Sequence, residues 1–161
     1  MRILLALSLF FQISYAQLLS TSGSQIVDDN NQEILLRGVG LGGWMLQEGY
    51  MMNSVGGADT QYEFKNNLTE LIGAEETEIF YDNWLANFVT ETDIEQLSNL
   101  GYNSVRLAMH YNLFTPPIEQ EPVLGENTWL DKGFEMVDDL LDWCEANQMY
   151  LILDLHAAPG G

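Results

Sequence analysis

The chain has 161 residues, of which 24 are acidic and only five are Lys or Arg, so its formal net charge is −19. So much negative charge repels phosphate groups, which makes nucleic acid and anionic membrane surfaces poor partners and a neutral substrate the compatible choice. A solvated, self-repelling surface that keeps the protein in solution is the simplest interpretation of this acidity. With Cys144 as the single cysteine, no internal disulfide can form.

Residues 1–16 have the three parts of a secretory signal peptide: an early arginine, an uninterrupted apolar stretch, and small residues just before Gln17. The apolar stretch is about half the roughly 20 residues that a membrane-spanning helix needs. Cleavage before Gln17 would remove Arg2 and take the net charge from −19 to −20. We therefore predict a secreted or periplasmic protein without a membrane anchor, with residues 17–161 as the mature domain.

A hairpin is the first element predicted in the mature chain. Short apolar runs at residues 24–27 and 34–36 flank residues 28–31, an Asp-Asp-Asn-Asn cluster that favours a tight reversal. The second run leads into residues 37–44, where four glycines within six positions permit close backbone approach or positive φ angles. A phosphate cradle is not favoured, because the spacing matches neither the P-loop nor the dinucleotide pattern.

Helices follow a segment with little periodicity. Residues 45–67 look like a long loop with one short helix, and helices are predicted around residues 75–88 and 92–100. The second of these has Thr92 as its N-cap, with a glutamate three residues later, and Gly101 as its stop.

The last three elements alternate strand, helix and strand. A strand is predicted at residues 102–109, an amphipathic helix at residues 129–147, and a final strand from residue 149 that should be covered on both faces. The apolar stripe of the helix comprises Leu130, Phe134, Val137, Leu141 and Cys144, and is broadened by Met136, Leu140 and Trp143. Its position in this stripe favours a buried and inert thiol for Cys144. The whole order predicts an α/β protein with a parallel sheet built by crossover helices.

Charged side chains lie in the last two predicted strands. Arg106 interrupts the apolar run of a strand that should be covered on both faces, so it is predicted to be buried and to need an anionic partner. Alternation puts Arg106 on the same face as His110, and Asp154 on the same face as His156, toward the open end of a barrel. Two interpretations of Arg106 stay open: an ion pair with Asp154 that only satisfies two buried charges, or an element of a functional site.

His156 and Asp154 also have open alternatives. For His156 alone, a hydrogen-bonded histidine at the end of a strand is the favoured explanation. Its place near Asp154 and before a loop of small residues makes a role in a functional site an equally good one. Together the two residues would suit a metal ion, but no cluster of histidines and cysteines completes a coordination set. We therefore predict neither a metal nor a cofactor.

The loops after the first two strands of the sheet carry aromatic and polar side chains that should open on the same face. Rings beside carboxylates and imidazoles suit a neutral sugar, which has apolar faces and a rim of hydroxyls. For any single ring, ordinary packing is the favoured alternative. The residues concerned are Trp44, Glu48, Tyr50, His110, Tyr111 and Phe114.

Three ordered motifs stand out: LRGVGLGGWMLQE at residues 36–48, NSVRL at residues 103–107, and LDLHAAPGG at residues 153–161. Together they resemble glycoside hydrolase family five, the cellulase family, and most closely its exo-beta-glucanase-like branch. The resemblance runs from about Gln25 to the last residue.

The resemblance implies the N-terminal part of a TIM (β/α)8 barrel, about three βα units plus a hairpin that closes the bottom of the barrel. It also implies retaining hydrolysis of beta-glycosidic bonds. In that family the arginine matching Arg106 keeps the nucleophilic glutamate ionised, and the histidine matching His156 lines the cleavage subsite. The glutamate matching Glu48 binds sugar hydroxyls, and Tyr111 falls near a family aromatic. His110 departs from the family's usual residue.

By the same resemblance, the acid/base and nucleophile glutamates follow the fourth and seventh strands and lie beyond Gly161. A whole barrel takes about 250 residues. We therefore predict a secreted hydrolase of beta-glucan or cellulose-type polysaccharide or oligosaccharide, in which residues 17–161 are an incomplete barrel domain, inactive alone. A non-catalytic carbohydrate-binding or adhesion protein on a barrel scaffold is the alternative.

Overall fold

The computed structural model describes residues 18–52, 57–123 and 125–159, so the predicted signal peptide lies outside the described residues. The chain divides into two compact units, Met1–Leu35 and Leu36–Gly161. Among the described residues, no helix combines the length and the apolarity needed to cross a bilayer.

The first unit contains an antiparallel hairpin of β1 (Ser20–Ser22) and β2 (Gln25–Val27). Its turn contains Gly23, whose φ of 63° suits a residue without a Cβ. The hairpin is therefore present but displaced from the prediction. The first predicted run pairs with the residues that precede it, and residues 34–36 form no strand.

The reversal predicted at the acidic cluster is confirmed. The Asp28 carboxylate accepts hydrogen bonds from the backbone N–H groups of Asn30 at 2.9 Å and Gln32 at 2.8 Å. These bonds accompany a left-handed Asn31, at φ 58°. Because the carboxylate holds the turn's N–H groups, the strand pairing beyond it is limited to one bridge, between Val27 and Glu33.

The second unit is built on a parallel three-stranded sheet in the order β3, β4, β5. Three helices connect β3 to β4 and one helix connects β4 to β5, which confirms the predicted α/β alternation. The elements are β3 (Gly38–Leu41), α1 (Gln61–Ile72), α2 (Ala74–Asn87), α3 (Glu91–Asn99), β4 (Ser104–His110), α4 (Asp131–Ala146) and β5 (Tyr150–Ala157).

The helix starts differ from the prediction because other side chains form the caps. The helix α1 is longer than expected and has a capping box, in which Thr60 and Glu63 each accept the other's backbone N–H at 3.2 Å. At α3 the Asp93 carboxylate accepts the N–H and hydroxyl of Thr90, both at 2.8 Å, so this helix starts before Thr92. The predicted stop is confirmed, since the residue after α3's C-cap is a glycine at φ 90°.

The core lies between β4 and the helices. Val105, Leu107 and Met109 share one face of β4, as strand alternation predicts, and all three are buried. They cluster with side chains from α2, α3 and α4, including Leu85, Ile94, Val137, Leu140 and Cys144. Burial raises the pKa of the Cys144 thiol to about 11, which agrees with the predicted inert cysteine.

The buried stripe of α4 agrees in part with the predicted one. Val137, Leu140 and Cys144 are buried as predicted, and Gly133 is buried as well, whereas Phe134 and Leu141 are exposed. A Cβ at Gly133 would lie 2.5 Å from the carbonyl oxygen of Leu113, so the glycine permits a close approach of helix and loop. Helical periodicity does not contain this contact, and the buried stripe is rotated toward it.

The strand β5 is more exposed than predicted. Leu153 and Leu155 are 55% and 53% exposed, and Ile152 on the other face is 41% exposed. The prediction that this strand is covered on both faces is therefore wrong for the described residues. As the edge of an open sheet, β5 has a strand neighbour on one side only.

Candidate functional site

Arg106, Asp154 and His156 meet on one face of the sheet. The β4–β5 register places Ala108 opposite Asp154, one alternation beyond Arg106. Nη2 of Arg106 donates to Oδ2 of Asp154 and lies 3.0 Å from Nδ1 of His156. The same Nδ1 lies 3.0 Å from Oδ2 of Asp154. Asp154 is thus the anionic partner that Arg106 requires, and His156 joins the pair.

The β4–β5 pairing is irregular next to His156. The register runs from Ala108 opposite Asp154 to His110 opposite Ala157, so β5 has one more residue than β4 over this interval. Such a bulge locally changes the direction in which side chains point. His156 can therefore contact both of the other residues at the carboxyl end of the sheet.

Arg106 is accessible to solvent, contrary to the prediction that it is buried. Its side chain is 45% exposed, because only the opposite face of β4 packs on helices. A guanidinium has five N–H donors. Within the described part of the chain, its hydrogen bonds involve Nη2 alone, which leaves Nε and Nη1 available to a further acceptor.

The loop after β3 holds Glu48 next to an anchored residue. Glu48 accepts a hydrogen bond from the Tyr50 hydroxyl at 3.1 Å. The preceding Gln47 is buried, its side-chain oxygen accepts the Tyr81 hydroxyl at 2.8 Å, and its N–H donates to Gln61 at 2.9 Å. Sequence reasoning missed these anchors, since no local pattern links a glutamine to a tyrosine on α2.

The loop after β4 contacts the loop after β3, so the two open on the same face as predicted. The N–H of His110 donates to the carbonyl of Met45 at 3.1 Å. Nδ1 of His110 accepts the N–H of Asn112 at 3.3 Å, and the His110 ring stacks on Tyr111 with centroids 4.9 Å apart. Partial burial lowers the pKa of His110, which keeps the ring neutral near pH 7.

Two aromatic residues considered for sugar contact are packing residues instead. Trp44 is 3% exposed and its indole N–H donates to the carbonyl of Leu85 at 2.8 Å. Phe114 packs edge-on against Phe134, with centroids 5.1 Å apart. Tyr50, which is exposed, and Tyr111 remain as rings that a sugar could contact.

The predicted residues form separate groups rather than one network. Among the described residues, no hydrogen bond or ion pair joins Glu48 or Tyr111 to the cluster of Arg106, Asp154 and His156. In the same ranges no group of three or more His, Cys, Asp or Glu side chains could hold a metal ion.

The Gln47 anchor predicts a pH dependence of stability. Burial raises the pKa of Tyr81 to about 12, whereas a tyrosine in an unfolded chain titrates near pH 10. Between these values the unfolded state binds fewer protons, so the free energy of unfolding should fall as pH rises from about 10 to about 12. Urea unfolding across this window should show a shallower fall for Tyr81→Phe than for the natural protein. Tyr62→Phe, at an exposed position on α1, is the matched control, and equal slopes for Tyr81→Phe and the natural protein would contradict the assignment.

Parallel strands joined by helices, with polar side chains at the strands' carboxyl ends, define part of a (β/α)8-barrel enzyme fold. Two solved structures share this fold. The rutinosidase from Aspergillus niger superposes with a TM-score of 0.59 at 22% identity, covering 78% of this chain and 34% of that one. The structure of AoRut gives 0.58 at 23% identity with the same coverage.

Residues 58–160 match the family model of cellulase, glycosyl hydrolase family 5. The chain belongs to this family of glycosidases, which confirms the resemblance seen in the motifs. It is 35% identical over 143 residues to a beta-xylosidase of Phanerodontia chrysosporium, covering 89% of this chain. It is 30% identical over 134 residues to a probable glucan 1,3-beta-glucosidase A of Aspergillus clavatus, covering 81%. The chain spans 28% and 30% of the lengths of these two relatives.

Proposed function

We propose that the complete protein to which this chain contributes is a secreted, retaining glycoside hydrolase acting on beta-glucan or cellulose-type polysaccharide. The cluster in which Arg106 of β4 meets Asp154 and His156 in the second half of β5 carries the proposal, because it extends to the carboxyl end of the sheet, the end of a barrel where catalysis takes place. Substrate-binding roles for Glu48 and Tyr111, in the adjoining loops, belong to the same proposal.

The site favours a neutral polyol over a charged substrate. Arg106 has N–H donors without an acceptor among the described residues, and His156 is accessible to solvent. On the loop after β3, the Glu48 carboxylate accepts a hydrogen bond from the hydroxyl of the Tyr50 ring. The chain's net charge of −19 opposes polyanions, while hydroxyl groups can both donate to carboxylates and accept from a guanidinium.

Residues 17–161 alone should be inactive. A retaining mechanism needs two carboxyl groups about 5 to 5.5 Å apart, one as acid and base and one as nucleophile. Asp154 is engaged by Arg106 and His156, and Glu48 accepts the Tyr50 hydroxyl, so neither carboxylate is arranged for these roles. We propose that both catalytic carboxyl groups come from parts of the complete protein outside this chain.

The test uses the product of the complete gene, recovered from the medium with Gln17 at its N-terminus. We expect it to release reducing sugar from a beta-glucan and to give first a product with the anomeric configuration of the substrate, as proton NMR resolves. Residues 17–161 expressed alone should release none. Inverted product, or hydrolysis by residues 17–161 alone, would overturn the mechanism. A complete product that binds beta-glucan without cleaving it would establish the non-catalytic alternative.

A further inference from the structure

The cluster at the ends of β4 and β5 contains a nitrogen with two incompatible neighbours. Nδ1 of His156 lies 3.0 Å from Nη2 of Arg106, which can only donate, and 3.0 Å from Oδ2 of Asp154, which can only accept when ionised. In a neutral imidazole, Nδ1 either carries a proton or offers a lone pair. It can therefore satisfy one of these neighbours but not both.

The charge of the Asp154 carboxylate determines which of its two neighbours Nδ1 of His156 forms a hydrogen bond with. Arg106 already donates to Oδ2 of Asp154, a charge-assisted bond that is stronger than a bond to a neutral ring nitrogen. An unprotonated Nδ1 would place its lone pair 3.0 Å from the same anionic oxygen, with no proton between them. A protonated Nδ1 instead gives Oδ2 a second donor. The proton of the neutral His156 ring therefore belongs on Nδ1.

His110 provides the opposite case within the same chain. Its Nδ1 accepts the backbone N–H of Asn112 at 3.3 Å, so the proton of its neutral ring belongs on Nε2. These are the only two histidines in the sequence. Because the two rings are expected to be opposite tautomers, each histidine is an internal reference for the tautomer of the other.

We propose that Asp154 is a positioning residue that holds His156 in its Nδ1–H form, so that Nε2 accepts a hydrogen bond from a substrate hydroxyl. His156 is 44% exposed, and its only hydrogen-bonding contacts within the described ranges are made by Nδ1. The hydroxyl as ligand rests on the proposed glycosidase function. The tautomer itself rests only on the geometry of the cluster.

Nitrogen-15 NMR of the histidine rings tests the tautomer independently of activity. In the complete gene product at alkaline pH, we expect protonated Nδ1 and unprotonated Nε2 for His156, and the reverse for His110. In Asp154→Ala the acceptor Oδ2, which both Arg106 and His156 contact, is removed, and the donor Nη2 of Arg106 is left 3.0 Å from Nδ1 of His156, so the proton should move to Nε2. Asp82→Ala, which removes a carboxylate paired with Lys132 on the helices, is the matched control and should change neither ring.

A His156 that is already Nε2–H in the natural protein would overturn the proposal, even if Asp154→Ala fails to fold. An unchanged tautomer in a folded Asp154→Ala would overturn it as well. The glycosidase proposal is tested by a separate measurement: if it is wrong, the natural protein will have no hydrolytic activity, whatever the tautomer of His156. If the protein hydrolyses beta-glucan, we expect Asp154→Ala to lower kcat/KM about tenfold, the effect of one misdirected hydrogen bond. An unchanged kcat/KM would contradict the role in substrate recognition.

Discussion

Replacing Arg106 with alanine in the complete gene product should lower kcat about 100-fold and change KM only a few fold. The guanidinium keeps Nε and Nη1 available on the exposed face of the sheet, beside Asp154 and His156. Under the proposed function, a nucleophilic carboxylate from another part of the complete protein would lie next to these groups. An arginine beside a carboxylate lowers its pKa by about one to three units, so the variant should contain less of the ionised nucleophile. Steady-state kinetics on a beta-glucan oligosaccharide give both parameters.

Two further variants separate this role from a general loss of charge. Arg106→Lys retains the charge, but a single ammonium group cannot hold Asp154 and a second carboxylate in the planar arrangement of a guanidinium, so activity should be restored only partly. Lys132→Ala also removes a cation in contact with a carboxylate, at 2.6 Å from Asp82, but on the helical surface. It should leave kcat unchanged. A raised KM with normal kcat in Arg106→Ala would contradict the assigned role, because it would indicate a contact made equally in the ground state and the transition state.

The parts of the site that the sequence predicted depend on local geometry. Alternation along a strand fixed which side chains of β4 share a face, so Arg106 and Val105 were correctly placed on opposite sides. An ion pair with Asp154 was part of one of the two interpretations of Arg106, and the structure contains that pair. The glycine run was also predicted correctly, with a close approach at Gly38 and a positive φ of 78° at Gly43.

The features that were missed or wrong depend on contacts between distant segments. The rotation of α4 is set by Gly133 against the carbonyl of Leu113, and Gln47 is anchored by Tyr81 from another helix. Trp44 is a core residue because α2 provides the carbonyl that its indole N–H needs. Periodicity and composition do not contain these partners. The exposure of Arg106 and of β5 likewise depends on which other segments cover the sheet. The sequences of β4 and β5 do not determine those segments.

The glycines of β3 provide the second large effect. Gly38→Ala should lower the free energy of unfolding by about 2 kcal/mol or more, comparable to other losses from overpacking. A Cβ at this position would contact the buried hydroxyl of Ser104 and lie 2.7 Å from the carbonyl oxygen of the same residue. Ser104 is the register partner of Gly38 at the start of β4, so relief of the clash requires the two strands to separate. Urea unfolding of the purified gene product measures the change.

Gly40→Ala is the matched control, since it is the same chemical change two residues along the same strand. A Cβ at Gly40 would have no atom within 4 Å among the described residues, and its φ is not in the left-handed region. Alanine should therefore be neutral or stabilise by about 0.5 kcal/mol, because it restricts the unfolded chain. Equal losses at the two positions would show that β3 needs glycine for its backbone rather than for its approach to β4. A loss confined to Gly38→Ala would establish that this close strand contact sets the β3–β4 register, which places Gly40 beside Arg106 at the proposed site.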